Sequence, residues 1–343
     1  MMRYSAATLI AVVTVASAAP TRAGPAAPLF SSDEPLAITI AAPFNQLVGD
    51  RDQRNKRDGT LTVAGQTLPV RLSPRGITRR ASDICAFPPL RVDFLTSPAA
   101  GPFAGQKSLK LVTHCRPAPQ NQQYVLLEHA AYRLYNLLTP VSFRTRLVTA
   151  TYASPQGRPI VTRVGFFIED LDDLARRNDL KKVREDDRVP LARISSRDGG
   201  RFALFNYFIA NLDWSMRAGP RGEPCCHNGR LVQPAGGGAY IPVPYDFDFS
   251  GLVSAPYAHP PEALPVGSVR VRLYRGHCAH NQGALAAAAE LRAKQAQVEQ
   301  TLASTPGLSP ASVQRAAAFL APMWRQLASD RSVQATILSN CVD

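Results

Sequence analysis

Residues 205–214, FNYFIANLDW, and residues 242–251, PVPYDFDFSG, are two apolar runs that carry acids at or near their ends. The first closes a helix expected over 202–212 and leaves Asp213 at its C-terminal end, where the helix macrodipole favours a base. An acid there has either a chemical task or a place at the start of the next turn. The second run starts as a strand, Ile241-Pro242-Val243, and turns at Gly251. Asp246 and Asp248 share a face while the chain stays extended, so a turn at the glycine presents both carboxylates to one cation. Oxygen ligands of this kind are what Mg2+ or Mn2+ requires. The plainer alternative is a turn in which the Asp side chains accept backbone N–H bonds. The loop between the runs, 217–238, holds six Gly and three Pro. Within it Asn228 offers a neutral oxygen ligand or merely a turn.

Upstream, the chain from Leu36 to Ile168 reads as short strands: 36–40, 61–72, 90–95, 109–112, 143–152 and 161–168. One helix interrupts them at about 122–138, where Tyr124, Leu127, Ala131, Leu134 and Leu138 recur at three- and four-residue steps before Pro140. It carries Glu128. The run KSLKLV places Lys107 and Lys110 on a strand, from which a lysine can reach phosphates and a helical glutamate can hold it. Residues 171–189 alternate acids and bases and read as a solvated helix and linker. Downstream, Ala284–Ala303 is an alanine-rich helix, and Ser309-Pro310 caps another that runs to Leu327. The coarse architecture expected is α+β: a secretory segment at 1–23, a strand-rich N-terminal lobe at 24–170 and a helical C-terminal lobe at 171–343, with a ligand where the lobes meet.

Lys and Arg number 39 against 26 Asp and Glu, a formal charge of +13, which favours anionic partners without choosing one. Nucleic acid fits poorly, because the arginines are scattered and the aromatics lie in apolar runs. There is no GxGxxG, no G-x4-GK[ST] and no GxSxG; Arg75-Gly76 and Arg79-Arg80 are the nearest basic substitute for a phosphate loop. The basic start at Arg3, the apolar run 6–15 and Ala16-Ser17-Ala18 form a secretory signal cleaved after 18, or after 23 if Thr21-Arg22-Ala23 is used. No later run is long enough to cross a bilayer. Export gives the six cysteines an oxidising destination. Cys85 with Cys115, at the ends of neighbouring strands, and Cys278 with Cys341, at the tail, are the preferred bridges. Cys225 and Cys226 stay unassigned, since adjacent cysteines bridge only with strain. Zinc on Cys225-Cys226-His227 and His277-Cys278-Ala279-His280 is the rival reading, though neither cluster has C-x2-C spacing.

Taken in order, the blocks KSLKLVTHC (107–115), LLEHAAYRLYNLLTPVSFRTRL (126–147), GFFIED (165–170), FNYFIANLDW and PVPYDFDFSG resemble the spore coat protein H (CotH) family of atypical protein kinases. The resemblance covers about 72–253. It implies a protein-kinase-like two-lobed fold, with ATP and Mg2+ or Mn2+ in the cleft and a protein hydroxyl as acceptor. Position by position it implies that Lys110, or Lys107, contacts phosphates with Glu128 as its partner. Glu169 and Asp170 would mark a hinge over the adenine, and Asp213 would orient the acceptor. Asn228 with Asp246 or Asp248 would hold the metal. The expected protein is an exported, periplasmic or extracellular phosphotransferase with an acceptor in the cell envelope or outside the cell. The alternative is a non-catalytic envelope or coat scaffold of the same fold.

Overall fold

Strand β1 (Leu36–Ala41) decides the architecture, because it has a partner on each edge. On one side it runs antiparallel to β2 (Arg57–Val63), which continues through β3 (Gln66–Pro74), β4 (Leu90–Phe94) and β5 (Ser108–Val112). On the other it runs parallel to β6 (Thr145–Ala153), with Leu36 opposite Val148 and Ala41 opposite Ala153. β7 (Pro159–Ile168) joins β5 to β6 and closes a seven-stranded mixed barrel. Ala64 and Gly65, both at positive φ (45° and 79°), make the tight turn that splits the expected run 61–72 into the hairpin β2–β3. The structure, a computed structural model, describes residues 25–343, so the secretory segment expected at 1–23 lies outside it.

The barrel is a core in its own right. Ile40, Val70, Val92, Leu111, Ala150, Tyr152 and Phe167 are all buried within it, and Phe44 and Leu47 of α1 (Phe44–Gly49) belong to the same cluster. Each buried Val, Leu, Ile or Phe side chain contributes about 1.5–3 kcal/mol by leaving water. Helix α2 (Pro119–Asn136) lies against β6 and β7 and starts earlier than its periodicity suggests, because Pro119 and Pro117 pre-set the first turn. Its inner face meets Phe166 of the barrel; Tyr132 packs edge-on against Phe247 at 4.7 Å, and Tyr135 meets Phe205 at 4.8 Å. The helix is therefore the joint between the barrel and the rest.

The rest begins with α3 (Leu171–Arg177), capped by Asp170, and then β8 (Leu180–Val183). The charged stretch 171–189, expected as a solvated helix and linker, thus holds the short helix α3 and, where a linker was expected, the edge strand β8. Helix α4 (Ser196–Phe208) leads to β9 (Gly229–Pro234) and β10 (Ile241–Pro244), which form a second sheet in the order β10-β9-β8. The alanine-rich segment breaks at Lys294 into α5 (Asn281–Ala293) and α6 (Gln295–Ala303), followed by α7 (Pro310–Gln326) and α8 (Asp330–Thr336).

The two-lobed, protein-kinase-like fold expected from the motifs is corrected by this topology. The first half is a closed barrel, sealed by the parallel β1–β6 pairing, and it is accompanied by a separate three-stranded sheet and eight helices among the described residues. A strand pattern reveals the pleat but not the partner, and β1 meets β6 only after the whole intervening chain has folded. Three disulfides tie the protein: Cys85–Cys115, Cys278–Cys341 and the adjacent pair Cys225–Cys226. The first two join residues whose Cα atoms are 4.5 and 5.0 Å apart, the distances a bridge needs. The Cys225–Cys226 and Cys278–Cys341 bridges leave no free thiolate for zinc at either Cys/His cluster. They also suit an oxidising environment. No described helix is long and apolar enough to cross a membrane.

Candidate functional site

The helix end and the strand turn that opened the sequence reading are locked together by a glycine. Gly251 N–H donates to Ala210 O at 2.9 Å and Leu252 N–H to Ile209 O at 3.1 Å. A Cβ at Gly251 would meet Val269 O at 2.6 Å and the Ala210 Cβ at 3.0 Å, so only glycine lets the two segments touch. Their acids then face one cleft of about 700 Å3, whose lining includes Arg75, Arg79, Asp213, Arg230, Asp246 and Asp248. That volume is in the range of small-molecule sites.

Asp213 is held from every side. Buried Asn206 accepts from Asn211 Nδ2 at 2.9 Å, and Asn211 Oδ1 accepts from Asp213 N–H at 3.1 Å. The Asp213 carboxylate is then bonded on both oxygens, Oδ1 to His227 Nε2 at 2.6 Å and Oδ2 to Asn228 Nδ2 at 2.8 Å. The bond to Asp213 raises the His227 imidazole above its ordinary pKa, against the opposing effect of burial. Asn228 spends its amide on Asp213, and its φ of 44° is one that asparagine tolerates in a turn. Cys225 and Cys226 line the cleft next to this pair.

The second group of acids comes from two elements. Glu128, in the middle of α2, and Asp246 and Asp248, just beyond β10, offer oxygens that all lie within 4.8 Å of one another. Asp246 adopts φ 64°, and its N–H donates to Tyr132 Oη at 2.8 Å. Tyr257 donates to Asp248 Oδ2 at 3.1 Å. Burial drives the Glu128 carboxyl up to about 8, with the Asp248 and Asp246 charges adding to it and Arg79 opposing. Burial likewise lifts Asp248 to about 6. Arg79, from the turn Thr78–Arg80 between β3 and β4, reaches all three acids. Glu128 Oε1, on a residue only 1 % exposed, has no hydrogen-bond partner. A carboxylate set with a buried, unpaired oxygen fits a hard divalent cation.

The basic side of the cleft centres on Tyr245. Lys110 Nζ lies 4.9 Å from the ring centroid and the Arg230 guanidinium 4.4 Å from it, both cation–π contacts. Burial first, then the Arg75 and Arg230 charges, lower the Lys110 amine to about 7.

The structure therefore brings Lys110, Asp213, Asn228, Asp246, Asp248 and Glu128 to one region but rearranges their partners. Glu128 pairs with Arg79, from the β3–β4 connection, at 3.3 Å rather than with Lys110. Lys107 sits just before β5 and is exposed. Glu169 is buried in a bidentate pair with Arg177 at 2.8 and 2.9 Å, and Asp170 caps α3 by accepting from Asp172 N–H at 2.9 Å, so neither side chain lines the cleft. Arg79 and His227 are the residues whose roles the sequence left unread. Arg79 stood out only as a basic turn, and His227 only as a zinc candidate. The chain matches no known family model, and no curated protein sequence matches it.

Proposed function

We propose that the cleft binds ATP with Mg2+ or Mn2+ and transfers phosphate to a hydroxyl of a protein acceptor. The observation that carries this reading is the convergence, in one cleft, of an oxygen-rich acidic set, a carboxylate fixed on both oxygens and a group of cations. The motif resemblance to spore coat protein H supports it, on a fold that differs from a two-lobed kinase. Asp246 and Asp248, with Glu128 beside them, would hold the metal, which supplies positive charge against the phosphate oxygens. Lys110, Arg75 and Arg230 attract and orient the phosphates. Asp213, unable to rotate between His227 and Asn228, orients the acceptor hydroxyl and takes its proton. The disulfides favour a protein working outside the reducing cytoplasm, periplasmic or extracellular, with an acceptor in the envelope or beyond it.

One observation favours the second reading, a non-catalytic envelope or coat protein: Arg79 already fills the acidic set with an internal cation. Incubating the purified chain with γ-labelled ATP and Mn2+ separates the two. Label on the chain or on an added acceptor, lost by roughly 10²-fold or more in Asp213→Asn, is the expected outcome. A parent protein that transfers nothing leaves the scaffold reading in its place.

A further inference from the structure

Three carboxyl groups meet around one guanidinium, and the arrangement is not well bonded. Each Arg79 nitrogen faces a different acid: Nη1 to Glu128 Oε2 at 3.3 Å, Nε to Asp248 Oδ2 at 3.2 Å and Nη2 to Asp246 Oδ1 at 3.8 Å. Charge-assisted bonds of this kind settle at roughly 2.7–2.9 Å, so the guanidinium is spread among the acids rather than docked on one. Glu128 Oε1 is buried without any donor. Such an oxygen is costly unless something positive reaches it.

We infer that Glu128, Asp246 and Asp248 are the ligands of a divalent-cation site and that Arg79 is its resident counter-ion, which the metal displaces. The geometry argues for exchange rather than coexistence. Neighbouring oxygens around a small octahedral ion are about 3.0 Å apart and only opposite ones about 4.2 Å, at the usual Mg–O length of about 2.1 Å. The three acids lie within 4.8 Å of one another, so they draw inward to share one ion, and water fills its remaining positions. Arg79 touches all three, however, and stands in the space the ion needs. A doubly charged ion also compensates the acids better than a single guanidinium does. The turn that carries Arg79 belongs to a connection tied to Cys115, just before α2, by the Cys85–Cys115 bridge. It is therefore the side chain, and not the loop, that moves. Once released, the fork of Arg79 points into a cleft it already lines, where a phosphate is the natural new partner. Metal binding would thus create part of the phosphate site.

The inference rests on the reading of the cleft given above, but its test measures metal binding and not transfer, so the two fail separately. Mn2+ alone, without nucleotide, is titrated into the full chain while the free-ion EPR signal is followed. Arg79→Gln is expected to bind Mn2+ at least about tenfold more tightly than the parent, as expected when a competing cation is removed, and Glu128→Gln about tenfold more weakly. Equal or weaker binding by Arg79→Gln, or no binding by any form at millimolar Mn2+, overturns the proposal. A second measurement needs no variant. Phenylglyoxal labelling of the parent, mapped by mass, is expected to spare Arg79 without metal and to modify it when Mn2+ is present. An Arg79 that stays protected with Mn2+ bound means the two cations share the site, and the exchange is wrong.

Discussion

Two buried arginine–glutamate centres, one on α2 and one just after β7, are built in opposite ways. At Glu169, just after β7, Arg177 donates to both carboxylate oxygens, and the Arg144 N–H adds a third bond at 3.0 Å. Arg177 spends its remaining donors on the carbonyls of Pro140 and Ser142. One positive charge meets one negative charge, and no atom of the pair is left over. At Glu128 one arginine serves three acids at longer distances, and a buried oxygen has no donor. The first centre is finished and belongs to the fold. The second is unfinished, and an unfinished buried charge is what a ligand completes.

The largest effect that tests this contrast comes from removing each glutamate's charge. Glu169→Gln leaves Arg177 buried without its counter-ion and is expected to cost about 3–5 kcal/mol of folding stability. Glu128→Gln removes one of three crowded acids from the metal-free protein and is expected to cost nothing, or to stabilise it by about 1–2 kcal/mol at pH 7.5. Urea unfolding of both variants, without metal, checks the signs. Equal losses would mean that the Glu128 centre is an ordinary structural ion pair.

Some of this contrast could be read in the sequence and some could not. Asp246 and Asp248 stood out as a pair of acids in an apolar turn; Asp213 stood out as an acid at a helix C-terminus, but α4 ends at Phe208 and leaves it in the turn that follows. Gly251, read only as the turn beyond the two acids, is also what joins those motifs. The bridges Cys85–Cys115 and Cys278–Cys341 were legible from their places at element ends, whereas Cys225–Cys226 was not, since adjacency argued against it. The lysine–glutamate link did not form, because Arg79, distant in sequence from Glu128, competes for the same acid. His227 was hidden for a similar reason: its meaning comes from Asp213, 14 residues earlier. The barrel was missed because β1 and β6 are each recognisable as strands but carry no local mark of pairing with one another. Local chemistry was readable wherever a residue violated a local rule; long-range partnership was not.

A smaller effect sharpens the same comparison through pH. Glu128 has a folded pKa near 8 against an ordinary 4.5, because burial penalises its charge. Between those values the folded protein holds a proton that the unfolded chain has released, so this group's contribution to stability falls as pH rises. Asp248 acts in the same direction between 3.8 and about 6. Acids with lowered values, such as Asp52, act oppositely and lie elsewhere. The informative quantity is therefore the stability of Glu128→Gln minus that of the parent. It is expected to grow from pH 4.5 to about 8 and then level off, and a flat difference would mean that Glu128 titrates as an ordinary surface acid. Saturating Mn2+ should abolish the slope, since the ion holds the carboxylate ionised.

The smallest effect concerns the lysine packed on Tyr245, a residue that lines the cleft. Lys110 rests on the Tyr245 ring with Arg230 against the same ring, and Glu128, its expected partner, is occupied by Arg79. Burial and the charges of Arg75 and Arg230 hold its amine near 7, with Asp246 and Asp170 only partly offsetting them. Near neutral pH the side chain is therefore divided between ammonium and amine. An anion in the cleft needs the ammonium, so its affinity should fall as pH rises through 7. Tripolyphosphate without metal is the suitable probe, because it isolates the basic wall from the acidic set. The probe's own ionisation also changes with pH, and the His227 imidazole, raised by Asp213, lines the cleft, so the comparison is with Lys110→Arg, which stays charged. Between pH 6.5 and 8.5 the parent is expected to lose about tenfold more affinity than Lys110→Arg. Lys107→Ala, altered on an exposed residue outside the cleft, should follow the parent. Parallel curves for the parent and Lys110→Arg would show that Lys110 keeps its proton throughout, and that the basic wall is as finished as the Glu169 centre.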